Sequence, residues 1–481
     1  MKILELKKIS DVVWEIPRSG RMLVPVRIYA SEKMLKKIQE DRTLMQASNV
    51  AQLKGIVKSS IVLPDAHEGY GFSIGGVAAF DFNEGIISPG GVGYDISCGV
   101  RLVTTTLTEQ QIKPKLNDVI ESLFREVPSG VGAHSKHRFT ASELDEVLAM
   151  GAEWAVGNGY GRKEDLQHIE DYGRIKNADA SKVSQKAKQR GMPEVGTLGS
   201  GNHYLEIQRV DKIFLPDVAK VMGIEKEGQV TAMIHCGSRG LGHQVATDYI
   251  RVMEQAMSKY GITVPDRELA CAPAQSSEGQ EYFAAASAAV NYALANRQMI
   301  LYWVRECFKK VFGKTEEELG LDLVFDVSHN IVKLEEHEVD GKKQKLWVHR
   351  KGGTRCFPPG HAQLPTDYSK VGQPALIGGS MGTFSYVLVG TEQAEKETFF
   401  STCHGAGRTT SRAAAMRQMR GEDVKRELEK RGIIVRAASV KTLSEEADFA
   451  YKDINSVVEV CEQAGISKIV CRLKPLAVIK G

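Results

Sequence analysis

The chain has 481 residues, of which 42% are hydrophobic, 26% charged and 7% aromatic. That balance excludes a disordered or fibrous chain and suffices for one large domain or about two to three ordinary ones. With 63 basic against 60 acidic residues the formal net charge is +3, so a polyanionic partner must be met by a local patch.

The opening stretch MKILELKKISDVVWEIP alternates charged and apolar residues and lacks the apolar core of a signal peptide. No apolar run approaches the ~18 residues that span a bilayer, so a cytoplasmic protein is expected. Residues 31–46 open with Ser31 and show helical spacing, and a glycine-bounded strand is expected at 56–63. A strand at 99–106 precedes helices over 108–126 and 141–156, the second capped by Ser142 with Asp145 three residues on. After a strand at 228–234, residues 243–312 form the longest helical region, whose alanine-rich part reads as structural scaffold. Thr315 and Glu318 make a capping box with Gly320 as the stop, and strands follow at 321–327, 384–389 and 467–472. No repeat or Pro/Ser linker divides the chain. The fold class expected is α+β: one large unit over residues 1–481, with helical excursions near 108–190 and 243–320 around mixed sheets.

Five of the 12 histidines stand at or near the end of an apolar run and lead into small or polar residues: His67, His203, His235, His329 and His404. A strand end holds a side chain rigidly while the loop beyond it admits a ligand. One such histidine is more often a hydrogen-bonded core residue, but five in the same setting point to a site. In GIISPGGVGYDISCGVR, Asp95 and Cys98 add a carboxylate and a thiol three residues apart. The eight cysteines form no CxxC pair, which favours free thiols or metal ligands over a disulfide framework. Asp95, Cys98, His203, His235 and His329 therefore suit a one- or two-metal centre; the thiolate favours zinc on softness, the carboxylate with open positions manganese.

Glycine-rich loops at 69–76, 90–99, 378–385 and 405–407 could cradle phosphate through backbone N–H groups. None is a GxGxxG fingerprint opening a helix, and the GKT at 313–315 is no P-loop because Phe308 replaces the first glycine. No KxDG signature of the lysine-adenylylating ligases occurs. His404 lies in CHGAGRTTSR, where small residues let a phosphorus centre approach and Arg408 and Arg412 can clamp its oxygens. That setting suits a histidine nucleophile carrying a phosphoryl or nucleotidyl group, although a further metal ligand or a cap is an equal alternative.

The motifs GGVGYDISCGVR, GTLGSGNHYLE, HCGSRGLGH, DVSHN and CHGAGR, in this order, resemble the RtcB family of GTP-dependent RNA ligases. The resemblance runs from about residue 54 to Lys480. It implies an enzyme that joins RNA 3′-phosphate or 2′,3′-cyclic phosphate ends to 5′-hydroxyl ends with GTP and Mn²⁺, in tRNA splicing and RNA repair. Asp95, Cys98, His203, His235 and His329 would hold two manganese ions bridged by Cys98, and His404 would be guanylylated. Glu206 would read guanine. Asn202, Asn330, Ser380, Ser385, Gly405, Ala406, Gly407, Tyr451 and Lys480 would complete the nucleotide pocket, and Asp65 would act near the 5′-hydroxyl. Arg190, Arg239, Lys351, Arg408 and Arg412, in or near glycine loops, are the candidates for RNA contact. The family also implies an archease-type activating partner. A dinuclear metallohydrolase, or an RNA-binding protein with a structural zinc, would account for the ligands but not for His404.

Overall fold

A computed structural model describes residues 5–481; residues 1–4, the start of the stretch read for a leader, lie outside this range. Two large sheets organise the molecule. The first has seven strands in the order Lys7–Lys8, Val13–Ile16, Val26–Tyr29, Ser60–His67, Ile74–Asp81, Lys342–Lys351 and Asn330–Val339. Its strands pair antiparallel except for Val26–Tyr29 against Ser60–His67. The second runs Leu323–Ser328, Gly99–Thr108, Gln229–Cys236, Tyr204–Ile213, Ser467–Lys480, Ser385–Gly390 and Pro374–Ile377, with Ile434–Ala437 added parallel to the end of Ser467–Lys480. Helices Arg239–Tyr260 and Ser277–Phe312 pack around this second sheet. The α+β class expected from the sequence is the one observed.

The register brings the ends of several strands to one place. Gly99 pairs with Cys236 and with Ser328, Tyr204 pairs with His235, and Lys480 pairs with Tyr204. Residues flanking these positions, Cys98, His203 and His329, therefore leave the same end of the second sheet. His329 is also the junction between the sheets, because Leu323–Ser328 belongs to the second and Asn330–Val339 to the first.

Several expected helices are interrupted, each for a local reason. Ser31 caps the first as expected, but the 31–46 helix divides into Glu32–Ile38 and Thr43–Val50, the Asp41 carboxylate accepting from the Thr43 N–H at 2.8 Å. In 108–126 the strand runs on to Thr108, and Pro114 sits in a 3₁₀ turn before Leu116–Glu126. The cap expected at Ser142 and Asp145 is instead a capping box of Thr140 and Glu143, and Gly151 at φ 61° breaks the remainder into Ala141–Met150 and Ala152–Gly157. The 243–312 region is two helices, since Gly261 adopts the left-handed conformation after Tyr260 and Ser276 caps the next. Thr315, Glu318 and Gly320 end-cap a short helix as expected.

Candidate metal and nucleotide site

Cys98 is the shared member of two clusters. In one, Cys98, His235 and His329 converge; in the other, Asp95, Cys98 and His203, each set having its ligand atoms within 4.8 Å of one another. The Cys98 Sγ lies 3.2 Å from His235 Nε2 and 3.6 Å from His203 Nε2. His203 Nε2 is 2.8 Å from an Asp95 carboxylate oxygen, and the Nε2 atoms of His235 and His329 are 3.3 Å apart. The far nitrogens are committed elsewhere: His203 Nδ1 faces the Leu198 carbonyl at 3.1 Å and His235 Nδ1 the Asn202 carbonyl at 3.2 Å. A carbonyl there fixes a proton on Nδ1 and leaves the His235 Nε2 lone pair facing the cluster, the tautomer of a metal ligand. His203, which burial would lower but Cys236 and Asp95 raise well above the ordinary histidine range, holds a second proton between Nε2 and the Asp95 carboxylate that a cation would displace. Burial pushes His235 and His329 well below the ordinary histidine range, so both are neutral. Burial and the Asp95 charge push the Cys98 thiol up to about 12. Lone pairs facing one another beside a thiol reluctant to ionise are mutually repulsive without a cation and mutually satisfied with one. The donor set fits divalent metal.

Local backbone explains the approach. Ser97 takes φ 56° before Cys98, its hydroxyl 2.7 Å from that of Ser328. In HCGSRG, a Cβ on Gly237 would stand 2.4 Å from the Asp95 carboxylate, so only glycine lets that carboxylate reach the Ser238 N–H at 3.1 Å.

His404 follows the two-residue strand Ser401–Thr402, and its ring lies 5.0 Å from that of His329. Its backbone N–H donates to the Asp65 carboxylate at 2.8 Å, and the same carboxylate abuts the ring Nδ1. Asp65 is fully buried; burial alone would raise its pKa, but His404 lowers it overall. Asp65 thus stands behind the imidazole and orients it. The glycine after Ala406 is obligatory: Gly407 has φ 68° and a Cβ there would meet the Asp65 carbonyl at 2.0 Å. Beneath this pair Lys452, which burial lowers to about 8, donates to the Pro64 carbonyl at 3.1 Å.

Asp95, Cys98, His235, His329 and His404 open into one cavity of about 410 Å³, while His203 lies buried behind them. Asn202, Asn330, Ser380, Gly405, Ala406, Gly407, Tyr451 and Lys480 line it, as do Lys351, Arg408 and Arg412. Glu206 and Ser385 stand behind that wall. Glu206 is two residues beyond cavity-lining Tyr204, hence on the same strand face, and Gln208 bridges it at 2.8 Å to Ser385 at 3.1 Å. Burial raises Glu206 to about 8. Lys480 donates to the Gly201 carbonyl at 2.9 Å, and burial lowers its pKa.

A model of the family described as tRNA-splicing ligase RtcB matches residues 46–481. The chain is 57% identical to the tRNA-splicing ligase RtcB of Thermococcus kodakarensis over the whole of both chains. It is 57% identical to that of Archaeoglobus fulgidus over 99% of each, and 55% identical to that of Pyrobaculum aerophilum over the whole of both. This chain belongs to the tRNA-splicing ligase RtcB family. The match begins a little before the residue 54 suggested by the motifs.

Against that membership, the basic candidates fall into different settings. Arg190 is exposed, donating to Gln244 at 3.1 Å, whereas Arg239 is largely buried against Glu194 at 3.3 Å. Lys351 is inside the cavity wall, held by the Tyr70 and Phe72 carbonyls and lowered by burial to about 7. Arg408 and Arg412 converge on Glu446 at 3.2 and 3.0 Å, and Tyr451 donates to the same carboxylate. Sequence reasoning missed Glu446, which sits among charged residues with no motif of its own. It also missed Tyr70, Tyr94 and Tyr204 in the wall, although Tyr94 adjoins Asp95 within GGVGYD. All eight cysteines are free and buried, and no helix among the described residues is long and apolar enough to cross a membrane.

Proposed function

We propose that this protein is a GTP-dependent RNA ligase that joins 3′-phosphate or 2′,3′-cyclic phosphate ends to 5′-hydroxyl ends, acting in tRNA splicing and RNA repair in the cytoplasm. The observation that carries the reading is His404, backed by Asp65, in one cavity with two ligand clusters that share Cys98. Asp95, Cys98, His203, His235 and His329 would hold two Mn²⁺ ions, which when bound would neutralise phosphate charge and orient an RNA end.

In the first step His404 Nε2 attacks the α-phosphorus of GTP. An N–P bond forms, the bond to the bridging α–β oxygen breaks, and pyrophosphate leaves. Asp65 at Nδ1 orients the ring and stabilises the positive charge that develops on it. An RNA 3′-phosphate oxygen then displaces His404 from phosphorus to give a 3′-pp-5′G end, and the imidazole, charged while it carries the nucleotide, is a good leaving group. The 5′-hydroxyl oxygen attacks the RNA phosphorus, the hydroxyl proton is lost and GMP departs. A cyclic phosphate is first opened by water to the 3′-monophosphate. Asn202, Asn330, Ser380 and Lys480 suit contacts to phosphate and ribose, Glu206 a contact to the guanine edge. Arg408 and Arg412 suit RNA phosphates. An archease-type protein would be the activating partner.

Incubation with α-labelled GTP and Mn²⁺, followed by denaturing electrophoresis, tests the reading. An acid-labile labelled band that disappears in His404→Ala is expected. With metal bound and archease supplied, absence of the band in the wild type overturns it in favour of a metallohydrolase.

A further inference from the structure

Two tyrosines of the cavity wall and a histidine stacked outside the cavity are unused by the scheme above. Tyr70 and Tyr94 both line it, with ring centroids 5.6 Å apart at 62°, and Tyr94 stacks on His243 at 4.9 Å and 27°. The two tyrosines are half-buried and His243 is exposed, so the rings run from the cavity wall to the surface. A tilted pair leaves a corner: whichever ring supplies the edge, Tyr70 keeps one face free of Tyr94, and His243 keeps the face turned away from it.

The Tyr70 loop is built to hold its ring still. Gln46 brackets Gly69, donating to its carbonyl at 2.5 Å and accepting from its N–H at 3.1 Å. The Gly71 N–H donates to Glu268 at 2.7 Å, and Lys351 donates to the Tyr70 carbonyl at 2.5 Å. Tyr94 is fixed in turn by its neighbour Asp95, the ligand whose carbonyl accepts from Asn330 at 3.1 Å. The Glu268 carboxylate is taken up by the Gly71 N–H and Asp266 is paired with Arg42 at 3.0 Å, so the corner offers a ligand ring faces rather than a free charge. Lys351 is taken up by the Tyr70 and Phe72 carbonyls, and the cation at the outer end is Arg190, which bonds Gln244, the residue after His243. Its guanidinium can meet a phosphate while the rings meet a base.

We infer that Tyr70, Tyr94 and His243 form a stacking track that holds the unpaired base next to the broken RNA end, setting that end against the Asp95 side of the metal clusters. Unpaired bases are recognised by stacking on aromatic side chains, and loss of one such contact weakens binding by roughly 5- to 150-fold. Stacking reads no sequence, which suits an enzyme whose substrates differ at the break. The inference rests on the ligase reading and adds a site for the RNA.

The test uses the full-length protein and a short RNA carrying 2-aminopurine, placed in turn at the 3′-terminal and 5′-terminal nucleotides. Binding of the wild type is expected to quench the probe at one of these positions. Tyr70→Leu should lose the quench and weaken binding roughly 5- to 150-fold, and Tyr70→Phe should restore both. An RNA with an abasic terminal nucleotide should bind the wild type as weakly as the normal RNA binds Tyr70→Leu. Wild-type labelling by α-labelled GTP is measured alongside. Labelling without quench at either position, or equal affinity for abasic and normal ends, overturns the track and leaves the ligase reading standing. Quench that depends on Tyr70 without any labelling supports the track and overturns the ligase reading.

Discussion

Replacing Asp326 by Asn probes how the scaffold holds the candidate metal ligands. The Asp326 carboxylate is fully buried between two fully buried arginines, accepting from Arg101 Nε at 2.7 Å and from Arg297 Nε and Nη2 at 2.8 Å each. Arg297 uses its remaining donor, Nη1, on the carbonyls of Ser97 at 2.7 Å and Cys236 at 2.9 Å, the neighbours of Cys98 and His235. Three charge-assisted bonds at about 1.5–3 kcal/mol each set an upper range of about 4.5–9 kcal/mol. Removing one partner of a buried ion pair usually costs about 3–5 kcal/mol because neighbours relax, and we expect that lower range. Since whole domains are stable by only about 5–15 kcal/mol, the loss is large. Chemical denaturation followed by fluorescence and circular dichroism reads it, and calorimetric titration with Mn²⁺ should show weakened binding. Replacing Arg101, Arg297 and Asp326 together by Met, Met and Leu should recover much of the stability, because no unpaired charge remains, but not the metal affinity, because the two carbonyls lose their donor. A loss below about 1 kcal/mol for Asp326→Asn, or full metal affinity in the triple variant, would refute the reasoning.

Three further outcomes follow from the geometry. Asp65→Asn should slow self-guanylylation of His404 by about 10²–10⁴-fold, read as the initial rate of label incorporation, because it removes the charge that orients the imidazole; an unchanged rate would assign Asp65 elsewhere. Glu206→Gln should cost roughly 5- to 150-fold in GTP affinity and erode its preference over ATP, measured by competition; equal affinity for GTP in both proteins would remove Glu206 from guanine recognition. Burial holds His349 down to about 3, with its Nε2 accepting from the Ser88 N–H at 3.2 Å. Below the unfolded value near ~6.5 the unfolded chain binds a proton that the folded one refuses. Its contribution is therefore complete above that value and shrinks as the pH falls toward 3. At pH 5 the loss is about 2 kcal/mol, so His349→Gln should lose that much less stability than the wild type between pH 7.5 and 5; parallel losses would contradict the assignment.

The parts of the site that sequence revealed are those governed by short-range rules. Cys98, His203, His235 and His329 were legible because each lies at or beside a strand end in small-residue surroundings, and the register then gathers those ends. The loop 405–407, legible as a phosphate loop, turns out in part to serve the protein's own packing, since Gly407 makes room for the Asp65 backbone, and Gly237, outside every such loop, does the same for the Asp95 carboxylate. The strands Ile74–Asp81, Tyr204–Ile213, Asn330–Val339 and Lys342–Lys351 went unread. The first carries paired glycines and the others dense charge, and Ile74–Asp81 and Tyr204–Ile213 each pair on one side with a strand far away in sequence. Helix breaks were missed where the cause is a side chain competing for a backbone N–H, as Asp41 does at Thr43. Nothing local ties residue 65 to residue 404: the bond from the His404 N–H to the Asp65 carboxylate exists only in the folded chain.

The reading of the alanine-rich helix as scaffold is true of Ser277–Phe312 and incomplete. Its small residues allow close packing, and every position from Ala285 to Leu301 is buried. A helix buried on all sides has no solvent to satisfy its polar side chains, so each must find a fixed partner. Asn296 accepts from the Gly196 and Thr197 N–H groups at 2.7 and 3.0 Å and donates to the Gly237 carbonyl at 3.1 Å. It thereby ties the loop that leads to His203 to the one that follows His235. Arg297, the next residue, spans Ser97 and Cys236. Two adjacent polar residues of one helix thus brace the backbone beside Cys98, His203 and His235. Helical periodicity marks such residues only as interruptions of an apolar face, whereas burial turns them into the rigid support that a candidate metal cluster of five side chains gathered from four separate segments requires.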